Sequence, residues 1–549
     1  MTTDQAADLV LRGGRLATMD TARSWASALA VRDGRILAVG PDSAVATHIG
    51  PRTRVVELRG RTVSPGFQDA HVHPVHGGLH LLRCSLHDEI DLDAYARIIT
   101  DYARANPDLP WIRGGGWYMA AFPGGAPRRD TLDRLVPDRP AILSSRDGHS
   151  VWVNTRAMEL AGVTAGTADP ADGRIERNED GTPSGTLHEG AMDLVERFAP
   201  DDTPSDLEAA LKLGQQHLHR LGITAWQDAI IKPDAEELPY VALASRGELT
   251  GRVVGALWWD RHRGAEQIDE LVQRRDTTSI GRYRATSVKF MMDGVLENFT
   301  GAMLEPYLDG HGGTTGNRGL LQIDPDGLSS WVPRLDALGF QPHFHAIGDR
   351  AVRASLDAVE AARRANGPSD TRPHIAHIQV IHPDDIARFR ELDVAANAQP
   401  FWAGHEDQMD VLTVPFIGER WIWQYPFRSL RAAGAVLAMG SDWSVTTANP
   451  LWEIEIAVER RYREPFGDRD VFLPDERLEL VDALAAFTSG SAYVNHLDET
   501  GTLEVDRLAD LAVLDRDLFD RGAGAIGEAR VIGTFVDGLA VFEDASLDG

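Results

Sequence analysis

The chain has 549 residues, 43% of them hydrophobic and 25% charged, which is the composition of a globular protein too long for one compact core. Its 83 acidic and 55 basic residues give a formal net charge of −28, which disfavours nucleic acid and anionic membranes as partners. The single cysteine, Cys84, excludes an intrachain disulfide and a thiolate metal cluster, and it fits a reducing cytoplasm.

The first sixty residues predict short β-strands joined by tight turns, with no signal peptide before them. Asp33-Gly34 separates two apolar runs, as is typical of a two-residue hairpin, and Asp537-Gly538 repeats this pattern near the other end. Neither end is long enough for a stable sheet alone. We therefore predict that residues 1–64 and 490–549 pair into one composite β-domain, a small sandwich into which residues 65–489 are inserted.

Within residues 65–489, short apolar strands alternate with helical stretches, which predicts parallel β-structure. Pro204–Leu221 and Arg350–Ala365 show the apolar spacing of helices, and Asp349 is a candidate cap for the second. Residues from about 85 to 190 interrupt the alternation and are rich in glycine, proline and aromatic residues. We interpret them as an insertion that shapes a substrate pocket, with surface decoration as the alternative. No run of apolar residues is long enough to predict a membrane-spanning helix.

Polar side chains that can bind metal lie at or near the ends of successive apolar runs. His71 and His73 come first, and their spacing places both on the same side of a strand. The later members of this set are Asp228, Lys289, His343, His345, His374, His377 and Asp442. Such recurrence is typical of a (β/α)8 barrel, whose chemistry gathers at the carboxyl ends of the strands. The predicted fold is therefore α/β, a TIM-like barrel inserted into the composite β-domain.

Several longer motifs resemble the metal-dependent amidohydrolase superfamily in its YtcJ-like branch. The resemblance extends over nearly the whole chain, and Leu296–Thr300 adds a similarity to the N-substituted formamide deformylases within that branch. The matching stretches are Pro65–His73, Asp147–Asn154, Val288–Val295, His343–Ala351 and Gly440–Asp442.

The resemblance implies a metal centre and an acid–base residue. His71 and His73 would be ligands from the first barrel strand, His345 from the fifth, and His377 from the sixth. Asp442 would follow the eighth strand, both as a ligand and as the group that moves a proton from water to the leaving nitrogen. His345 is a second catalytic candidate, through stabilisation of the oxyanion. Imidazole and carboxylate ligands suit one or two Zn²⁺ ions, although iron, manganese and nickel also fit.

Three positions leave alternatives open. His343 and His345 face the same side of a strand, so spacing does not separate them, and His343 is also a candidate for contact with substrate. The resemblance implies that Lys289 is a carboxylated ligand that bridges two ions, whereas the alternative is a lysine paired with Asp293. Asp228 resembles a third-strand residue that orients a histidine or contacts substrate, and a structural role is the alternative.

The inserted region supplies further candidates for substrate binding, with local packing as the alternative for each. The candidates from the insertion are His149, Trp117 and Tyr118, and weaker candidates elsewhere are Trp402, His405 and Trp443.

These observations predict a metal-dependent hydrolase that cleaves a non-peptide C–N bond of a small molecule with metal-activated water, and an N-formyl bond is the narrower candidate. Hydrolysis of a cyclic amide, deamination, and decarboxylation or lyase chemistry on the same barrel are the alternative reactions. Metal storage or ligand sensing without turnover is the non-enzymatic alternative. No motif predicts a nucleotide cofactor, since Gly114-Gly115-Gly116 lacks the setting of a phosphate loop. Self-association stays open, because no residue identifies a dimer interface.

Overall fold

The computed structural model describes residues 6–462, 469–520 and 525–547. Its centre is an eight-stranded parallel sheet in which each strand pairs with the next one in the chain. In this order the barrel strands are Phe67–Val72, Ile223–Ile231, Arg252–Trp258, Tyr283–Met291, Gln341–Ala346, His374–His377, Ala395–Ala398 and Leu437–Met439.

The barrel is nearly closed by contacts just beyond the ends of its first and eighth strands. The Asp442 amide donates to the His71 carbonyl at 2.7 Å, and the His73 amide donates to the Trp443 carbonyl at 2.8 Å. The predicted barrel is thus confirmed, and its closure lies where the metal ligands were expected.

Helices cover the outside of the barrel, because a parallel sheet needs both faces buried. The two helices predicted from apolar spacing are confirmed at Pro204–Arg220 and Asp349–Asn366. Asp349 is not a cap, since it begins the helix and its carboxylate accepts from the Leu304 amide at 2.8 Å. The other α-helices of this region are Pro74–Leu82, Glu237–Arg246, Ile268–Thr278, Pro325–Ala337, Ile386–Glu391, Val414–Ile417, Phe427–Ala432, Pro450–Glu459, Leu480–Ala485 and Ser491–Val494.

A separate six-stranded sheet lies in the chain between the first and second barrel strands. It corresponds to the segment that interrupts the alternation in the sequence. Its strands, in spatial order, are Cys84–Ser85, Ile112–Trp117, Ala141–Ser145, Ser150–Val153, Pro183–Glu189 and Gly173–Arg177. Its helices are Leu92–Ala105, Arg129–Leu135, Thr155–Ala161 and Asp193–Glu196.

Strands from the two ends of the chain share a sheet. Leu511–Leu514 pairs antiparallel with Thr62–Pro65. Both Asp-Gly hairpins form, and Asp33 and Asp537 adopt the positive φ (50° at each) that such turns require. The six strands of this sheet are Leu539–Glu543, Val531–Val536, Leu511–Leu514, Thr62–Pro65, Arg15–Ala17 and Trp25–Ala26. A second sheet contains Arg35–Gly40, Ala28–Arg32, Leu9–Arg12 and Arg54–Glu57, and helix Asp42–Val45 follows its edge strand.

The two terminal sheets contribute side chains to one buried apolar cluster, which includes Leu9, Leu29, Val63, Leu511 and Phe535. The division of the chain into domains stays a prediction. None of the helices among the described residues has both the length and the apolar surface needed to span a membrane.

Candidate active site

The carboxyl end of the barrel brings the predicted metal ligands together. Oδ1 of Asp442 lies 3.3 Å from Nε2 of His71 and 2.9 Å from Nε2 of His73, and Oδ2 of Asp442 lies 3.8 Å from Nδ1 of His377. One ligand atom from each of His71, His377 and Asp442 lies within 4.8 Å of the other two. These groups are near enough to share one metal ion.

A buried carboxylate holds the loop that carries Asp442. Asp69 accepts hydrogen bonds from the Ser441 amide at 3.0 Å and the Ser441 hydroxyl at 2.6 Å, and also from the His71 amide at 3.0 Å. Asp442 and His377 both adopt a left-handed backbone, with φ of 56° and 75°, which non-glycine residues rarely adopt. Asp69 therefore joins the first and eighth strands at the site, a role that its place in the motif did not reveal.

Imidazole nitrogens in this region are buried without hydrogen-bond partners. Among the described residues, neither Nε2 of His345 nor Nδ1 of His377 has a partner. Buried polar atoms are normally hydrogen-bonded, so these nitrogens fit ligands for an ion. Burial lowers the pKa of His71, His345 and His377 well below the usual value, which keeps each imidazole neutral, the form that binds metal. The donor set therefore fits a divalent ion such as Zn²⁺.

Lys289 lies among these groups and is 1% exposed. Its amine makes no ion pair or hydrogen bond with any described residue. Asp293, the partner considered from the sequence, accepts instead from the amides of Ile347 at 3.0 Å and Gly348 at 2.9 Å. Burial lowers the pKa of Lys289 to about 7, so a large part of this amine is uncharged at neutral pH.

His343 and His345 lie at different depths on the same face of the fifth strand. Nε2 of His343 lies 2.8 Å from Nδ1 of His71, and its ring contacts the His374 ring at 4.0 Å. A cavity opens at the carboxyl end of the barrel beside the candidate ligands, and His343 is not among the described residues that line it. His345 does line the cavity, and its ring lies 4.3 Å from the His377 ring. The geometry therefore places His345 beside the candidate ligands and His343 behind them.

His149 reaches this cavity from the inserted region. Its Nδ1 lies 2.8 Å from Oε1 of Glu189, and its ring lies 5.3 Å from the His345 ring. Thr300 and Gln322 donate to the same carboxylate, at 2.9 and 3.1 Å. Burial opposes the charge on His149, but the charge of Glu189 and this hydrogen bond together raise the pKa of His149 to about 9. Glu189 was not predicted, because only the folded chain brings it to His149.

Besides His343, three residues proposed from the sequence as pocket residues lie elsewhere. Trp117 is fully buried in the core of the insertion, so its prediction as a pocket residue is wrong. Asp228 lies on the second barrel strand, not the third, and accepts from the Tyr240 hydroxyl at 2.8 Å instead of holding a histidine. His405 pairs with Asp410 at 2.7 Å, outside the described lining.

Two adjoining cavities open at the carboxyl end of the barrel. The first, which we term the metal cavity, has a volume of about 550 Å³ and contains the candidate ligands. The second, the aromatic cavity, has a volume of about 390 Å³, and Tyr118, Trp402 and Trp443 line it. The residues that line both cavities are Arg146, Asp147, Val295, Trp402, Ser444 and Val445.

A nearly closed parallel barrel with histidines and an aspartate at its carboxyl end defines the class of metal-dependent hydrolases. The profile described as the amidohydrolase family matches residues 54–542, and the chain belongs to this family. It is therefore an enzyme, a metal-dependent amidohydrolase, as predicted from the sequence.

Relatives match over nearly the full length of the chain. Protein LONG AFTER FAR-RED 3 of Arabidopsis thaliana is 32% identical, with 98% of this chain and 92% of the relative covered. The N-substituted formamide deformylase of Arthrobacter pascens is 26% identical, with 98% and 99% covered. YtcJ of Bacillus subtilis is 26% identical, with 97% and 99% covered. These relatives confirm the YtcJ-like branch of the amidohydrolase superfamily, which the motifs had indicated.

The fold is similar to that of a solved structure. An uncharacterised metal-dependent hydrolase from Pyrococcus furiosus aligns with a TM-score of 0.70 at 26% identity, covering 93% of this chain and 99% of that chain.

Proposed function

We propose that the enzyme hydrolyses the C–N bond of a small non-peptide amide, and that an N-substituted formamide is the leading substrate class. The observation that carries the proposal is the convergence of unpartnered imidazole nitrogens and Asp442 on one cavity. The relative that is named as a formamide deformylase supports the choice of bond. The residues that would hold one or two metal ions are His71, His73, Lys289, His345, His377 and Asp442.

A divalent ion at this position, Zn²⁺ by ligand preference, would polarise the amide carbonyl and make water nucleophilic near neutral pH. Asp442 accepts a proton as the water oxygen bonds to the carbonyl carbon. The same carboxyl group then delivers this proton to nitrogen as the C–N bond breaks. The products are a carboxylic acid and an amine, so atoms and charge balance.

His149 lies where it can donate a hydrogen bond to the carbonyl oxygen as negative charge develops there. Glu189 holds the imidazole through Nδ1, which leaves Nε2 for the substrate. His345 lines the same cavity, and as a ligand it would act on this oxygen through the metal ion.

We also propose that Lys289 carries a carboxyl group. Its uncharged amine attacks CO2, the new Nζ–C bond forms, and the amine loses a proton, which yields a carbamate. Such a group adds two oxygen donors to the site and removes the cost of a buried cation.

The domain organisation is part of this proposal. Residues 1–64 and 490–549 form the composite β-domain, and residues 65–489 form the barrel. The insertion at about 85–190 covers the metal cavity, to which it contributes Arg146, Asp147 and His149.

A substrate panel tests the reaction. The metal-loaded enzyme is assayed with N-substituted formamides, the matching acetamides, cyclic amides and aminopurines, while formate, other acids, ammonia and CO2 are measured. We expect formate and amine in equal amounts, loss of activity on chelation, and recovery with Zn²⁺. Release of ammonia or CO2 alone, or activity that survives chelation, would overturn the proposal.

A further inference from the structure

The aromatic cavity adjoins the metal cavity, and aromatic rings form part of its wall. The His377 ring stacks against Trp402 at 5.4 Å, so the wall of one cavity touches a candidate ligand of the other. Trp443 forms part of the same wall and stacks on His217 at 4.6 Å. A substrate whose scissile bond lies in the metal cavity therefore extends its distal group between aromatic rings.

Two glutamates face the aromatic cavity without a basic partner. Glu406 accepts from the Tyr118 hydroxyl at 3.0 Å, and Glu297 accepts from the Thr413 hydroxyl at 2.9 Å. Neither carboxylate forms an ion pair with a described lysine or arginine. Burial raises the pKa of Glu406 to about 7 against the opposing charges of Arg146 and Arg469, and burial also raises the pKa of Glu297.

The basic groups that line the aromatic cavity form no ion pair with these glutamates, although the charge of Arg146 lowers the pKa of Glu406 against the effect of burial. Arg146 donates to the carbonyl oxygens of His87 and Glu89 and lies 5.3 Å from the centre of the Tyr118 ring. Burial lowers the pKa of His87 to about 3, so this imidazole is uncharged at neutral pH. Asp88 and Asp147 add two more carboxylates to the lining.

Polar groups that are almost fully buried also lack partners here. Tyr425 is 1% exposed and lines the cavity, and its hydroxyl makes no hydrogen bond with the described residues. Gln379 is 3% exposed, and its side-chain nitrogen donates to Gln424 while its side-chain oxygen accepts from no described group. Both groups are available to a ligand that carries N–H donors.

We propose that the aromatic cavity binds a cationic nitrogen group on the substrate, paired with Glu297 and Glu406 and enclosed by Trp402 and Trp443. The proposal rests on the proposed function, because the metal cavity must hold the amide from which this group extends. A cation gains both from aromatic faces and from charge-assisted hydrogen bonds. An uncharged group of equal size would leave the carboxylates unpaired.

Two matched formamides test the proposal. N-[4-(aminomethyl)benzyl]formamide carries a cation where N-(4-ethylbenzyl)formamide carries a methyl group of similar size. We expect kcat/KM for the cationic compound to exceed that for the neutral one by about tenfold or more in the metal-loaded enzyme. Equal values, or a preference for the neutral compound, would overturn the proposal.

Variants identify the groups responsible. We expect the ratio of the two kcat/KM values to fall to about one in Glu297→Gln/Glu406→Gln, since both carboxylates are then uncharged. If thermal unfolding shows that the double variant is misfolded, the single variant Glu406→Gln is used instead. We expect the ratio of the two kcat/KM values to be lower in this single variant than in the wild-type enzyme. Glu305→Gln removes an exposed carboxylate outside the cavity and is expected to keep the wild-type ratio. A ratio that survives in the cavity variants contradicts the assignment.

Failure of the reaction and failure of this inference give different results. If neither formamide is hydrolysed, the proposed function fails for this substrate class, and both compounds serve as ligands in titration calorimetry. Tighter binding of the cationic compound, lost in the cavity variants, still supports the inference. Equal affinities, or no binding of either compound, refute it.

Discussion

Nδ1 of His71 lies 2.8 Å from Nε2 of His343, directly behind the candidate metal ligands. Burial lowers the pKa of both imidazoles, so one neutral ring donates to the other. This contact occupies Nδ1 of His71 and leaves Nε2 facing Asp442 at 3.3 Å. His343 thus determines which nitrogen of His71 is available to a metal ion.

Replacement of His343 is expected to weaken metal binding. His343→Ala should lower the affinity for Zn²⁺ by about 10–100-fold, because a partner that orients a ligand contributes on that scale. The affinity is measured by competition with a chromophoric chelator. His311→Ala, at an exposed position, is the control, and equal affinity in the two variants would remove His343 from this role.

Lys289 is expected to control the number of bound ions. The wild-type enzyme should hold about two ions and should lose CO2 on acidification, whereas Lys289→Met should hold about one. Metal content is measured by plasma mass spectrometry, and the released CO2 is measured on the same sample. One ion per chain together with an unmodified amine would refute carboxylation.

Asp442→Asn is expected to lower turnover while metal remains bound. The loss should be about 100-fold or more, because general acid–base catalysis contributes on that scale and an amide cannot accept the proton. Steady-state kinetics and metal analysis are performed on the same preparation. Near-normal kcat would assign the proton transfer to another group.

Glu189→Gln is expected to change the pH profile of kcat/KM. Although burial raises the pKa of Glu189, its pairing with His149 lowers that pKa to about 2, and the pKa of His149 is raised to about 9. The stability that His149 contributes is full below its usual pKa of 6.5 and is lost as pH rises through 9, whereas that of Glu189 is full above its usual pKa of 4.5 and is lost as pH falls through 2. In Glu189→Gln the alkaline limb should move down by about one pH unit or more. An alkaline limb at the wild-type position would show that His149 does not control it.

Arg252 connects the third barrel strand to the terminal sheet. Its guanidinium donates twice to Asp510 at 3.0 Å and also contacts Asp537, while the Asp510 side chain is 1% exposed. Arg252→Met should lower the free energy of unfolding by about 3 kcal/mol, because it leaves a buried carboxylate unpaired.

Thermal and denaturant unfolding measure the effect of Arg252→Met. Arg246→Met removes the exposed ion pairs with Glu208 and Glu248 and should lower the free energy of unfolding far less. Arg252→Met/Asp510→Asn should recover part of the loss, since no buried charge is then left unpaired. Similar losses in all three variants would contradict the role of the pair.

The barrel and most candidate ligands were predictable because their signals are local. Strands that end near His71, His377 and Asp442 follow from apolar runs and turn residues, and carboxyl ends of parallel strands meet at one side of a barrel. The hairpins at Asp33 and Asp537 were predictable for the same reason, since two adjacent residues determine such turns.

The sequence by itself determined which chemistry-bearing groups lie at strand ends, but the tertiary structure decided their depth and their partners. Alternation places His343 and His345 on one face, yet only the stagger of neighbouring strands puts His343 behind His71. Trp117 and Tyr118 are adjacent, but one is buried in the insertion core and the other contacts Glu406. Pairs such as His149 with Glu189 join segments that are distant in the chain, and no local periodicity predicts that they lie close together in space.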